Sequence, residues 1–171
     1  MLQIQTIGIA SGLAGNHEAC CKGPITLRDS QYFTQQCYEH GMHLNWLPIL
    51  EADASLAKHQ AIKQLCNQAE MASFNCIKTK KPFIFFTGEH AYAMGIWKGV
   101  MSALEKYEAP AKKLGLIWID AHMDAHTFVS SPSGNVHGMP IAALLGQGDE
   151  QLRDIYGDGP VLDTNCLGLF G

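Results

Sequence analysis

The chain has 171 residues, 47% of them hydrophobic and 16% charged, with a net charge of -4. That length fits one globular domain, 1–171, with a single core, and the apolar share excludes a disordered chain. The acidic balance and the absence of any basic run longer than Lys78-Thr-Lys80-Lys81 exclude nucleic acid as a partner, and no stretch is long enough to span a bilayer.

Met1 to Ile9 alternates in polarity and lacks a positive leader region, so it reads as a strand (2–9) rather than a signal peptide. With six cysteines and no C-x-x-C pair, the thiols are expected to be reduced and the protein cytoplasmic. A glycine-punctuated loop from Ser11 to Glu18 leads to Gly23-Pro24, and the proline-in, glycine-out signature predicts a helix from Pro24 to His40 ahead of Gly41. Leu44 to Ile49 is a second strand. Asp53 is placed to cap a long helix in which Ile62, Leu65, Cys66, Ala69 and Cys76 share a face, and which ends near Lys80-Lys81-Pro82.

Phe83 to Thr87 is a third apolar run, and it ends in Gly88-Glu89-His90. A helix from Ala91 to Tyr107 then leads to the strand Leu114–Ile119. Strand, helix, strand makes a right-handed crossover, and adjacent parallel strands would bring His90 and the residues after Ile119 to one sheet edge. Nearly unbroken apolar character suggests that Leu114–Ile119 is buried on both faces. Helices through Leu145 and around Asp149 to Tyr156, then a strand at Asn165–Phe170, complete a three-layer α/β/α domain with a mostly parallel sheet.

The chemistry is concentrated in Asp120-Ala-His122-Met-Asp124-Ala-His126, directly after a strand, where ligands bind in open α/β sheets. If the chain stays extended there, Asp120, His122 and Asp124 point to one side. Carboxylates and imidazoles so close together call for a cation, and a mixed O/N set without thiolate suits manganese, iron, cobalt or zinc. His90 joins them through the crossover. Glu89 either orients a metal ligand through its ring N–H or faces solvent.

Thr87-Gly-Glu-His90, Asp120-Ala-His-Met-Asp124 and Ser131-Pro-Ser-Gly-Asn-Val-His-Gly-Met-Pro140, in this order, resemble the ureohydrolase superfamily, arginases most closely, and the resemblance is to the N-terminal portion of such an enzyme. It implies an arginase-like fold and manganese-dependent hydrolysis of a guanidino substrate, L-arginine to L-ornithine and urea, by a hydroxide held between two Mn2+ ions. His90 and Asp124 would ligate one ion, His122 the other, and Asp120 would bridge them. His137 matches the proton-shuttling histidine, while Ser133 and Asn135 match residues holding the α-carboxylate. His126 stands where arginases usually carry an asparagine with that role, and Glu89 where the family has aspartate. A later aspartate-x-aspartate metal motif and a substrate-contacting glutamate do not occur within these residues. The resemblance also implies homo-oligomers. Alternatives are an agmatinase- or formimidoylglutamase-type enzyme, or a truncated, inactive metal-binding or interaction protein.

Overall fold

The computed structural model describes residues 1–15, 17–107, 114–159 and 161–171. Strand β1 (Leu2–Ala10) is the centre of the main sheet, and every strand paired with it is parallel. On one side it pairs with β2 (Met42–Trp46) and then β3 (Leu50–Glu51), and elsewhere with β4 (Phe83–Thr87) in the register Gln5 with Phe83 through Ile9 with Thr87. The strand predicted at 44–49 is thus two short pieces. Pro48 between them has no N–H to give the ladder.

The helix predicted from Pro24 to His40 is also two, α1 (Lys22–Asp29) and α2 (Gln31–Glu39). Ser30 is extended between them and its hydroxyl accepts the Phe33 N–H at 3.2 Å, so a cap replaces helix continuation. Asp53 does not cap the long helix α3, which spans Lys58–Lys78; its carboxylate accepts instead from the Ser55 N–H and hydroxyl in the preceding turn.

Successive residues of β1 serve opposite faces. Gly8 lies against Pro24 of α1, while Ile9 joins Ile62 and Leu65 of α3 in the core. Helices therefore cover both sides of the sheet, the three-layer arrangement expected. Helix α4 (Ala93–Tyr107) lies along α3 at very short range, because Gly95 and Gly99 fall one turn apart on the contact face. A Cβ at Gly95 would overlap the Cys66 carbonyl oxygen, and one at Gly99 would overlap the Glu70 carbonyl and the Ser73 hydroxyl. All six cysteines are free; Cys66 is buried in this contact, and burial pushes its thiol up to about 12.

Strand β5 (Leu116–Ile119) corrects the predicted crossover. It pairs in parallel with β6 (Leu167–Phe170) as a separate ribbon, not with β4. Its burial is also one-sided: Leu116 (3% exposed) and Trp118 (9%) enter the core, while Ile117 (70%) and Ile119 (81%) face out. Among the described residues no element covers that outer face. Two short helices, α5 (Pro140–Leu144) and α6 (Glu150–Tyr156), close the core beside α4 and α3. No described helix is long and apolar enough to cross a membrane.

Gly99→Ala should force the two long helices apart and lower the unfolding free energy by about 2–3 kcal/mol, read from the urea midpoint at unchanged m-value. An unaltered midpoint would contradict the close packing.

Candidate metal centre

His90 opens a single 3-10 turn, His90–Tyr92, immediately beyond the C-terminal end of β4. Asp120 follows β5 in the same way, and its N–H donates to the Phe170 carbonyl at 2.9 Å. The chain then turns rather than staying extended. The Asp120 carboxylate accepts the His122 N–H at 2.9 Å, and Asp124 takes a left-handed conformation (φ +48°), which aspartate tolerates better than most residues. The expectation that Asp120, His122 and Asp124 point to one side is corrected accordingly. The His122 side chain stands 83% exposed at the cleft rim, its Nδ1 3.3 Å from Asp120 Oδ1, while Asp124 is turned inward and buried.

Although their strands do not pair, His90, Asp120 and Asp124 meet, with potential ligand atoms all within 4.8 Å of one another. His90 Nε2 is 3.1 Å from Asp124 Oδ2 and 2.9 Å from the His137 carbonyl oxygen; His90 Nδ1 is 3.7 Å from Asp120 Oδ2. The indole N–H of Trp118, the penultimate residue of β5, donates to Asp124 Oδ2 at 3.2 Å. The His122 N–H holds the Asp120 carboxyl below the usual carboxylate range. Two carboxylates and one imidazole at this spacing suit a divalent cation that accepts oxygen and nitrogen donors.

His90 and Asp124 border a cleft of about 660 Å3 that His122 and His126 also line, and into which the Ser131–Gly138 loop brings Ser133, Asn135 and His137. The His126 N–H donates to the Gly138 carbonyl at 3.0 Å, and its ring Nδ1 is 3.2 Å from the Ser130 hydroxyl. Ser133 Oγ accepts the Asn135 N–H at 3.2 Å, and Asn135 is buried. The His137 ring stacks on His90 with centroids 5.8 Å apart and 12° between planes. Partial burial, reinforced by the neighbouring His90, lowers its pKa.

Glu89 does neither of the things expected of it. It is turned away from the cation site and from solvent, accepting the Ala14 N–H at 2.6 Å with the Tyr92 hydroxyl 3.4 Å away, and burial raises its pKa. Trp118, Tyr92 and Ala14 are participants that sequence reasoning missed. The first two read as core aromatics, and a small apolar residue in a loop carries no chemical signal at all.

The chain matches the Arginase family over residues 3–159, a span that includes every residue of this cleft. The chain belongs to the arginase family. It is 33% identical to the arginase of Bacillus caldovelox across all of its own length and 58% of that protein. The arginase of Bacillus subtilis strain 168 is 37% identical over 56% of this chain and 30% of the relative. Among solved structures, Bacillus cereus arginase superposes with a TM-score of 0.78 at 27% identity, covering 98% of this chain and 56% of that one. Bacillus caldovelox arginase gives 0.76 at 28%, covering 99% and 57%. This arginase-family chain therefore spans little more than half the length of these relatives.

Two outcomes follow from the geometry. Because Trp118 touches Asp124, Mn2+ should quench tryptophan fluorescence, and Trp118→Phe should remove most of the quench; an undiminished quench in the variant would place the ion elsewhere. Folding lowers the His137 pKa below its ordinary value of 6.5. The unfolded chain thus takes up a proton first, so the stability associated with this group is present above pH 6.5 and is lost as pH falls through the folded pKa. The His137 ring protons should titrate below 6.5 in an NMR series, and a midpoint above it would contradict the burial.

Proposed function

We propose that this cleft binds manganese and hydrolyses a guanidino compound, L-arginine to L-ornithine and urea. The observation that carries the reading is the meeting of His90, Asp120 and Asp124 in an arginase-family fold. Hard carboxylate oxygens with one imidazole favour Mn2+ over softer ions. His90, Asp120 and Asp124 would hold one ion. His122, on the rim beside Asp120, is the further candidate ligand for a second.

When bound, the cation acidifies water enough to supply a nucleophile at neutral pH. Water adds to the guanidinium carbon, the C–N bond to the leaving amine breaks, and that nitrogen takes a proton. His137 is the group placed to carry it, since its depressed pKa keeps the ring neutral between transfers and it lines the same cleft. Asn135, Ser133 and His126 line the same cleft and would hold the amino-acid end of the substrate. The imidazole of His126 offers a single ring donor in a bulkier shape than an amide, which favours a second reading: a guanidino substrate without an α-carboxylate, as in agmatinase-type enzymes. By family, the protein would act as a cytoplasmic homo-oligomer.

Calorimetric Mn2+ titration and colorimetric urea release, run on a panel of guanidino compounds with and without an α-carboxylate, test this reading. Asp124→Asn should lose metal binding and urea release together. His126→Asn should keep the metal and move preference toward the α-carboxylate substrates. Full urea release by Asp124→Asn would refute the mechanism, and Mn2+ uptake with no turnover on any substrate would leave a metal-binding protein instead.

A further inference from the structure

Glu89 sits between the end of β4 and His90, yet its carboxylate is directed at a different part of the chain. The loop that leaves β1 passes beneath it and is fastened at two points. Near the start of the loop, the Tyr92 hydroxyl, wholly buried, lies 2.5 Å from Ser11 Oγ, which also accepts the Leu13 N–H at 3.3 Å. Further along, the N–H of fully buried Ala14 donates to Glu89 Oε1 at 2.6 Å.

Ala14 then passes the constraint on. Its carbonyl accepts the His137 N–H at 3.2 Å, while the carbonyl of His137 itself is taken by His90 Nε2 at 2.9 Å. His137 is thereby held at both main-chain groups, by Glu89 through Ala14 on one side and by a metal-centre residue on the other. The second carboxylate oxygen, Glu89 Oε2, is buried and among the described residues accepts no hydrogen bond of full geometry, although the Gly15 N–H also bears on the carboxylate. A Cβ built on Gly15 would lie 3.2 Å from this oxygen and 3.4 Å from His137 Nδ1, so the oxygen and the ring nitrogen flank a gap of side-chain width that glycine leaves open.

We propose that Glu89 is the positioning residue for His137: Oε1 fixes its main chain through Ala14, and Oε2, facing Nδ1 across Gly15, sets which ring nitrogen carries the proton. A carboxylate favours a proton on the nitrogen that faces it, which leaves Nε2 of the neutral ring as the acceptor. This deepens the reading of His137 as the proton carrier and rests on it. Holding a loop requires one acceptor, which an amide supplies equally well. A second oxygen on the side of His137, which no described donor bonds with full geometry, is what a carboxylate adds.

Two variants of the 171-residue chain separate these roles. Glu89→Leu removes both oxygens, whereas Glu89→Gln keeps an acceptor for Ala14 and replaces the oxygen facing His137 by a donor. Hydrogen exchange in Glu89→Leu should speed up by about tenfold at the Ala14 and His137 amides. The Ile141 amide, bonded to the Asp124 carbonyl, should be unmoved. Glu89→Gln should restore both amides while the His137 ring 15N shifts move toward the Nε2–H tautomer. Ring shifts identical in Glu89→Gln and the parent reduce Glu89 to a loop anchor and overturn the proposal, as does a His137 amide unaffected by Glu89→Leu. Mn2+ titration of the parent chain judges the metal reading separately: if no ion binds, that reading fails whatever the ring shifts show.

Discussion

Two like-charged carboxylates held around one imidazole are the constraint on which the rest of this structure depends. With ligand atoms within 4.8 Å, Asp120 and Asp124 repel by about 3–4 kcal/mol at the effective dielectric of a protein surface. Each N–H aimed at a carboxylate returns about 1.5–3 kcal/mol, and the chain aims two: the His122 main chain at Asp120 and the Trp118 indole at Asp124. The opposing terms are of one size. The cluster can therefore exist before an ion arrives, and remains strained enough to gain from one.

Holding these groups together falls to helix packing rather than to the sheet. His90 follows β4 and Asp120 follows β5, and no ladder joins those strands. The two ribbons are tied by α4, which links them in sequence and lies against α3 at the distance Gly95 and Gly99 allow. From the other direction, the loop after β1 reaches the cleft through Ala14 and His137. A change in the α3–α4 contact, far from any polar chemistry, would therefore be felt as a change in distance between an imidazole and its carboxylates.

How much of this was legible beforehand depended on the range of the signal. Strand and helix placement followed local pattern, whereas His126, Ser133, Asn135 and His137 were singled out only through the family resemblance. Breaks at Ser30 and Pro48 were marked by residues with known capping and ladder behaviour, yet the apolar rhythm on either side outweighed them. The strand neighbours of β5 were not legible, because hydrogen-bond partners across a sheet are a long-range property that adjacent sequence order does not set. Nor was the direction of His122, since strict alternation fails where the chain turns after Asp120, whose carboxylate accepts the His122 N–H. The fate of Glu89 depended on a loop some 75 positions away, with nothing in its own neighbourhood to announce it.

At Asp124 the backbone and the chemistry make separate demands that only one kind of side chain meets. Its left-handed conformation admits glycine, asparagine and aspartate most readily, while its place beside His90 and Trp118 calls for a negative oxygen. Glutamate would keep the charge and resist the turn; asparagine or glycine would keep the turn and discard the charge. Exploration of this position by single substitutions therefore meets a loss in every direction, whereas His122 beside it carries no left-handed constraint and answers to its chemistry alone. Among the described residues, the most buried acid is thus also the one whose backbone and chemistry resist replacement together.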